Sequence, residues 1–337
     1  MHAEDFGIDP QRIGIKGGSS GERRSWFDRH LLAGEIEGFM SCEEMVGSVA
    51  RLWRFPVKSM AGEQLEQAEF IEQGLLGDRA YALIDDDTGK VVSAKSTRLY
   101  PDLLNCRAVF VEIPRSGHEL PPVRIDLPNG KSVTSDADDV DRVLSSFFKR
   151  NITLSKAAPE GFTIDMHHPD VEGLGTGHRD TIVEQKLGSA FFAEVGLPSP
   201  FSAGSFLDLF PVSVLTTSTL EKLSELQPES RFNERRFRMN LIVETEKPGF
   251  VENNWVGSEI GIGDSVRLNV ALPDPRCVMT TLAQGDLPKD TNILRTMTQH
   301  NRIEVGEANL MPCAGVYTVV AETGTVRTGD RVEINNP

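Results

Sequence analysis

Residues 273–281, Pro-Asp-Pro-Arg-Cys-Val-Met-Thr-Thr, place a cysteine beside an arginine directly after the alternating apolar run 265–272. Two prolines end the preceding strand and stiffen the approach to the thiol, and Arg276 favours the thiolate, the form that binds metals and attacks electrophiles. Cys277 is therefore the first candidate for a reactive centre, against the ordinary reading of an isolated cysteine as a small buried hydrophobe. The other cysteines, Cys42, Cys106 and Cys313, stand far apart, and no C-x-x-C pair writes a thiolate zinc site or an iron–sulfur cluster. The histidines form no metal motif either, because the close pair His167–His168 lies in a polar stretch where adjacent side chains point apart. No Gly-x-Gly-x-x-Gly follows a strand, so a nicotinamide or flavin dinucleotide site of that kind is not written.

Fifty acidic residues against 35 basic ones give a formal charge of −15, which excludes a general affinity for nucleic acid or an anionic membrane. An anionic ligand must instead be held by a local basic pocket. No apolar run approaches the ~20 residues of a spanning helix, and the N-terminus lacks the charged-then-apolar order of a secretion signal, so a cytoplasmic protein is expected.

The positioning elements follow from the periodicity. Residues 1–45, centred on Gly17-Gly18-Ser19-Ser20-Gly21, read as a loosely attached leader or tail. From residue 46, short β-type runs at 49–55, 65–71, 80–84, 91–94, 106–112 and 123–127 alternate with turn residues. Asp86-Asp87-Thr88-Gly89 and Pro128-Asn129-Gly130 supply hairpin turns between them. Val140, Val143, Leu144, Phe147 and Phe148 recur at helical spacing and close this module, residues 46–156. Residues 157–205, rich in Gly, Pro and His, are expected to form a long connection without elements of their own. In residues 206–337 a strand at 212–215, a helix capped by Ser218-Thr219-Leu220-Glu221, strands at 240–244 and 259–272, and a helix within 289–302 are expected. Residues 260–268 and 326–334 share a Gly-Asp turn between β-runs, which predicts two hairpin corners of a small closed barrel. The fold class is mainly β (α+β), with a few helices.

Five pieces in order carry a resemblance over most of residues 47–334. They are Arg54-Phe55-Pro56-Val57-Lys58-Ser59, Gly74-Leu75-Leu76-Gly77-Asp78-Arg79, Arg236-Phe237-Arg238-Met239-Asn240, Arg276-Cys277-Val278-Met279-Thr280-Thr281, and Gly315-Val316-Tyr317 with Gly329-Asp330. The chain resembles a MOSC-domain protein preceded by an N-terminal MOSC β-barrel module. It is most similar to the branch of the amidoxime-reducing components and their bacterial relatives, which bind a molybdenum–pterin cofactor and reduce N-hydroxylated compounds.

The resemblance implies that residues 46–156 are the N-terminal module, that residues 206–337 are the MOSC domain, and that Cys277 ligates molybdenum. A soft, anionic thiolate suits a metal that changes oxidation state. Lys58 and Ser59, behind Pro56, are assigned to the cofactor's phosphate, although a Lys-Ser step taken alone is ordinarily solvated surface. Arg79 follows a Gly-Asp turn and offers a bidentate phosphate contact, its alternative being an ion pair with Asp78. Arg238 and Asn240, two apart and hence on one side of a strand, offer a guanidinium fork and an amide to phosphate or pterin edges. Asp208 and Arg276 complete the implied cofactor contacts, while Leu209 and Phe210 stand where relatives present small hydroxyl residues, and Met239 where proline is common. Tyr317 either brings its hydroxyl to the metal as a catalytic group or belongs to the core.

The implied activity is reduction of an N-hydroxylated or N-oxide small molecule on molybdenum–molybdopterin, with the cofactor carrying the two-electron chemistry. Once Cys277 is assigned to molybdenum, too few thiols remain for an all-cysteine four-ligand cluster, so electrons must come from a separate ferredoxin, or a cytochrome with its reductase. The alternative is a protein that carries the cofactor, or its sulfurated form, for another enzyme.

Overall fold

Runs of aliphatic and β-branched residues pair into a closed barrel in the computed structural model, which describes residues 43–96, 98–170, 180–194, 199–202, 204–305 and 310–335. The barrel strands are β1 (Glu43–Arg54), β2 (Val212–Thr216), β3 (Leu241–Thr245), β4 (Glu259–Ile262), β5 (Val266–Pro275), β6 (Leu310–Glu322) and β7 (Arg331–Asn335). Their order around the wall is β2-β3-β1-β7-β4-β5-β6, and β6 returns to β2 through Val212↔Thr318 and Val214↔Val316. Closure leaves these strands no long unpaired edge. The interior is filled by Val49, Leu52, Val214, Val243, Ile260, Leu268, Val316 and Ile334, all buried.

Four helices occur among the described residues: α1 (Val140–Phe148), α2 (Ser189–Glu194), α3 (Thr217–Leu226) and α4 (Asn292–His300). The parallel pair β2 and β3 needs a crossover, and α3 supplies it, capped by the Thr216 hydroxyl accepting from the Thr219 amide. No helix among the described residues is long and apolar enough to cross a membrane.

Along β5 the burial alternates from Val266 to Val270, then becomes continuous through Asp274. The pairing with β6 shifts register between Val270 and Leu272 and again between Pro273 and Pro275. Such irregularities re-aim a strand, and here they deliver the segment that ends at Cys277.

A second core, with Val57, Met60, Tyr81, Leu103, Val123, Ile125, Leu144 and Ile152, lies among short strands of residues 82–155 and α1. The mainly β architecture with few helices agrees with the expectation from sequence. Several details differ. Strand β1, read as part of the N-terminal module, pairs with β3 (Leu52↔Leu241) and β7 (Glu44↔Ile334), because Val49 and Leu52 face the barrel core. Residues 43–45, read as the end of the leader, open that strand, while the rest of the leader lies outside the described residues.

Residues 157–205 carry a hairpin, Thr163–His168 against Thr181–Lys186, as well as α2. Its inward positions are Ile164, Met166 and His168, and the third is a histidine, so the apolar alternation was too short to register as a strand. Residues 260–268 form the expected hairpin, Ile260 opposite Leu268. The second Gly-Asp turn does not form one, since Gly324–Arg327 joins Gln67–Ile71 while β7 joins β1 and β4.

Candidate active site

Four of the segments that carried the resemblance, and Tyr317 of the fifth, meet at one cleft with about 810 Å³ of open space when its mouth is included, while Gly329-Asp330 lies apart, hydrogen-bonded to Val49. Lys58, Ser59, Arg79, Asp208, Arg238, Asn240, Arg276, Cys277 and Tyr317 all line it. The turn after β1 is laced to residues 78–81: the Phe55 amide donates to Asp78 Oδ1 at 2.7 Å, Arg79 N to Phe55 O at 2.8 Å, and Lys58 N to Tyr81 O at 2.8 Å. Ser59, Arg79 and Arg238 adopt left-handed backbone (φ of 65°, 46° and 57°), three of the five described non-glycine residues that do so. Each such conformation costs about 1–3 kcal/mol, and strain of this kind gathers where side chains must be aimed at a ligand.

Two ammonium groups share one carboxylate at the base of the cleft. Lys58 Nζ donates to Phe206 O at 2.7 Å and to Asp208 Oδ1, and Lys95 Nζ reaches Asp208 Oδ2 at 2.7 Å. Burial works against the Asp208 carboxylate, yet the two lysines outweigh it and hold its pKa below the usual carboxylate range. Burial lowers the pKa of Lys58. For Lys95 burial is outweighed by Asp208 and then Cys277, so its pKa is raised and its ammonium lies in the field of the thiol. Lys95 was missed from sequence, although it follows a β-run as Lys58 does.

Arg79 and Arg238 both lie over the Phe55 ring, 4.7 and 4.3 Å from its centroid. Arg79 also pairs with Asp78, the alternative weighed from sequence, and donates to Arg238 O at 3.0 Å. Arg238 Nη1 donates to Met60 O at 2.6 Å, while Nη2 is buried with no partner. Burial, reinforced by Arg79, lowers the Arg238 pKa to about 9. Arg238 is not on a strand; its left-handed turn, not a two-residue repeat, brings it to the same cleft as Asn240. The Asn240 amide is fully engaged, accepting from Ser213 N and Oγ at 3.1 and 3.2 Å and donating to Trp53 O and Asp78 Oδ2 at 3.3 and 3.0 Å. It braces the cleft wall.

Cys277 follows β5 in extended backbone and opens a 3-10 turn, Val278–Thr281, whose Thr280 amide and hydroxyl donate to Cys277 O. Its side chain is half-buried, whereas Cys106 and Cys313 are buried, and burial pushes the Cys106 thiol up to about 12 and the Cys313 thiol up as well. Cys42 lies outside the described residues. Arg276, read as support for the thiolate, also pairs with Asp274: Nη1 lies 2.5 Å from Asp274 Oδ2, and Nη2 donates to Phe237 O at 2.5 Å and Met239 Sδ at 3.0 Å.

Arg236, a motif member given no role from sequence, is fully buried and donates to four carbonyls: Arg231 at 3.0 Å, Thr280 and Leu282 at 3.2 Å, and Pro288 at 2.8 Å. It ties the turn carrying Cys277 to the loop carrying Arg238. Tyr317 packs with the core, the second of its anticipated roles, and also lines the cleft. Its ring stacks on Phe210 (centroids 5.4 Å apart, 24° between planes), and Phe210 packs with Leu209, Phe191, Phe192 and Phe201. Its hydroxyl interacts with the Asp274 carboxyl.

The cleft wall thus holds three buried polar atoms without partners, Arg238 Nη2, Arg276 Nε and Asp274 Oδ1. A buried donor left unmade costs about 1–3 kcal/mol, so the two guanidinium donors fit a ligand rich in acceptors. No group of three or more His, Cys, Asp or Glu among the described residues is placed to hold a metal, so a metal at Cys277 fits only with ligands brought by a non-protein group.

The MOSC domain family matches residues 203–333, and the MOSC N-terminal beta barrel domain family matches residues 46–151. The chain belongs to the MOSC-domain proteins that carry this N-terminal module. Similar proteins include Mitochondrial amidoxime-reducing component 1 of Homo sapiens, 23% identical over 321 residues that cover 86% of this chain and 83% of that protein. Mitochondrial amidoxime reducing component 2 of Macaca fascicularis is 26% identical over 315 residues, 86% of this chain and 84% of its own. Among solved structures, the YuaD protein from Bacillus subtilis aligns over 88% of this chain and 100% of its own, at 13% identity and a TM-score of 0.42.

Proposed function

We infer that this chain holds a molybdenum–pterin cofactor in the cleft and reduces N-hydroxylated or N-oxide small molecules with electrons from a separate protein. The observation that carries the reading is a half-buried thiol facing a cleft lined by Lys58, Arg79, Lys95 and Arg238 in a chain of formal charge −15. The names of the similar proteins support it. When bound, the cofactor supplies the two-electron chemistry that removes oxygen from nitrogen. Cys277 Sγ would be the protein's ligand to the metal, a soft donor suited to it. Lys58, Lys95, Ser59, Arg79 and Arg238 would hold the anionic portion, with the unpartnered Arg238 Nη2 as a ready donor. Asp208 keeps the two ammonium groups in place and lowers the cost of burying both cations. Asn240, Asp78 and Arg276 fix the wall, and the aromatic cluster around Phe210 keeps water from one side of the site.

Arg238→Ala is expected to weaken cofactor retention about 10- to 100-fold, since a charge-assisted hydrogen bond contributes roughly 1.5–3 kcal/mol. Arg238→Lys should lose less, because it keeps the charge but not the fork. Molybdenum per chain and pterin fluorescence read this directly, and equal retention in both variants would remove Arg238 from the binding set.

The chain alone is expected not to oxidise NADH with an amidoxime or hydroxylamine present. Activity should appear with a low-potential chemical reductant, or with a ferredoxin or cytochrome and its reductase. NADH turnover by the purified chain at catalytic rates would contradict the separate-donor reading, whereas cofactor binding with no reduction by any donor would make the chain a carrier.

A further inference from the structure

Removing oxygen from nitrogen as water takes two protons along with two electrons. One buried acid in the cleft wall is engaged through only one of its two oxygens. Asp274 lies near the end of β5 and is 1% exposed. Its Oδ2 faces Arg276 Nη1 at 2.5 Å, and its Oδ1 is buried without a hydrogen-bond partner. The neighbouring strand brings Tyr317 opposite Leu272, with its hydroxyl against the Asp274 carboxyl. Both residues line the cleft together with Cys277.

We propose that Tyr317 and Asp274 form the proton-delivery pair of this cleft, the tyrosine hydroxyl giving its proton to the departing oxygen and Asp274 returning one to it. The step rests on the reductase reading. For a substrate N–OH group, two electrons from the one-electron donor protein break the N–O bond. The oxygen leaves as water carrying its own hydrogen and the Tyr317 proton, the nitrogen keeps the electron pair, and it takes its second proton from solvent. Asp274 is left as a carboxylate beside Arg276 and Lys95 and recovers its proton from the cleft.

The surroundings suit a shared proton. A carboxylate oxygen buried with no donor is costly, and a proton on the carboxyl lowers that cost and gives the group a donor of its own. Burial raises the Asp274 pKa, opposed by Arg276, the Tyr317 hydroxyl and, from the loop after residue 91, Lys95. Burial and then Asp274 keep Tyr317 protonated, with Asp208 acting in the same direction and Arg276 against it. From β6, the buried Cys313 thiol is also held protonated and adds no charge.

The test uses the full chain with Asp274→Asn and Tyr317→Phe. In cofactor-free protein, ultraviolet absorbance follows tyrosinate formation by the three tyrosines. Asp274→Asn should move one step to lower pH by removing the neighbouring negative charge, and Tyr317→Phe should abolish that step. In loaded protein both variants should keep their molybdenum and a near-unchanged KM, while kcat falls about 100-fold, within the usual range for a general acid. The wild-type kcat should decline as pH rises and the pair loses its proton, and that limb should vanish in both variants. Tyr317→Phe removes one hydroxyl only, so it decides the matter if Asp274→Asn leaves Arg276 too exposed to misfolding. An unmoved tyrosinate step, or wild-type kcat and pH profile in Tyr317→Phe, overturns the pair while leaving the reductase reading intact. Failure of loaded wild-type protein to reduce any N–O substrate overturns that reading, and the delivery step with it.

Discussion

Cys277→Ser should fold normally and reduce no N-hydroxylated substrate. The side chain is half-buried at the start of a short turn, and the hydrogen bonds at that position go to its carbonyl, so folding stability should change by no more than about 0.5 kcal/mol. The effect lies in ligand chemistry. A serine oxygen is a hard donor with a proton that leaves only at high pH, and it cannot replace a soft thiolate on a metal that changes oxidation state. The cations at the base of the cleft are untouched, so the variant should retain part of the pterin. Its molybdenum-to-pterin ratio and its residual rate are the two measurements to make. Wild-type turnover in Cys277→Ser would end the assignment of the metal ligand.

The second large effect is on stability. Arg236→Met should destabilise the protein by about 3–5 kcal/mol, because it strands four carbonyl oxygens that one guanidinium now satisfies and each buried orphan costs roughly 1–3 kcal/mol, less whatever water recovers. No carboxylate among the described residues pairs with Arg236 directly, and burial lowers its pKa against the more distant pull of Asp290. The carbonyl dipoles are therefore what make the buried charge tolerable. Two of those carbonyls, Thr280 and Leu282, lie in or just after the turn that opens at Cys277, so cofactor retention should fall together with the unfolding midpoint in urea. A loss below 1 kcal/mol would mean that solvent reaches these carbonyls.

What the sequence made legible was local. Cys277 behind two prolines, Lys58 behind Pro56 and Arg79 behind a Gly-Asp turn are short-range patterns, and each reaches the cleft. What stayed hidden depended on partners far along the chain. Lys95 matters because Asp208 meets it, and Asp274 because Arg276 and Tyr317 enclose it. Asn240 read as a free donor until Trp53, Asp78 and Ser213 were seen to engage both ends of its amide. The two Gly-Asp turns look alike in sequence, yet only one is a hairpin, because strand pairing is decided by the faces the flanking residues bury and not by the turn alone.

The pairing of β1 with β7 has a consequence for how the protein is made. The first described strand waits for the last, and the intervening strand 67–71 waits for 324–327. Contacts of such long sequence separation form slowly, and the barrel wall stays open until residues 310–335 have been made. Tyr317 sits on β6, late in that order. The cleft therefore has no complete wall until β6 and β7 have followed the rest of the barrel, and a ligand that needs every side of the cleft cannot be held before then.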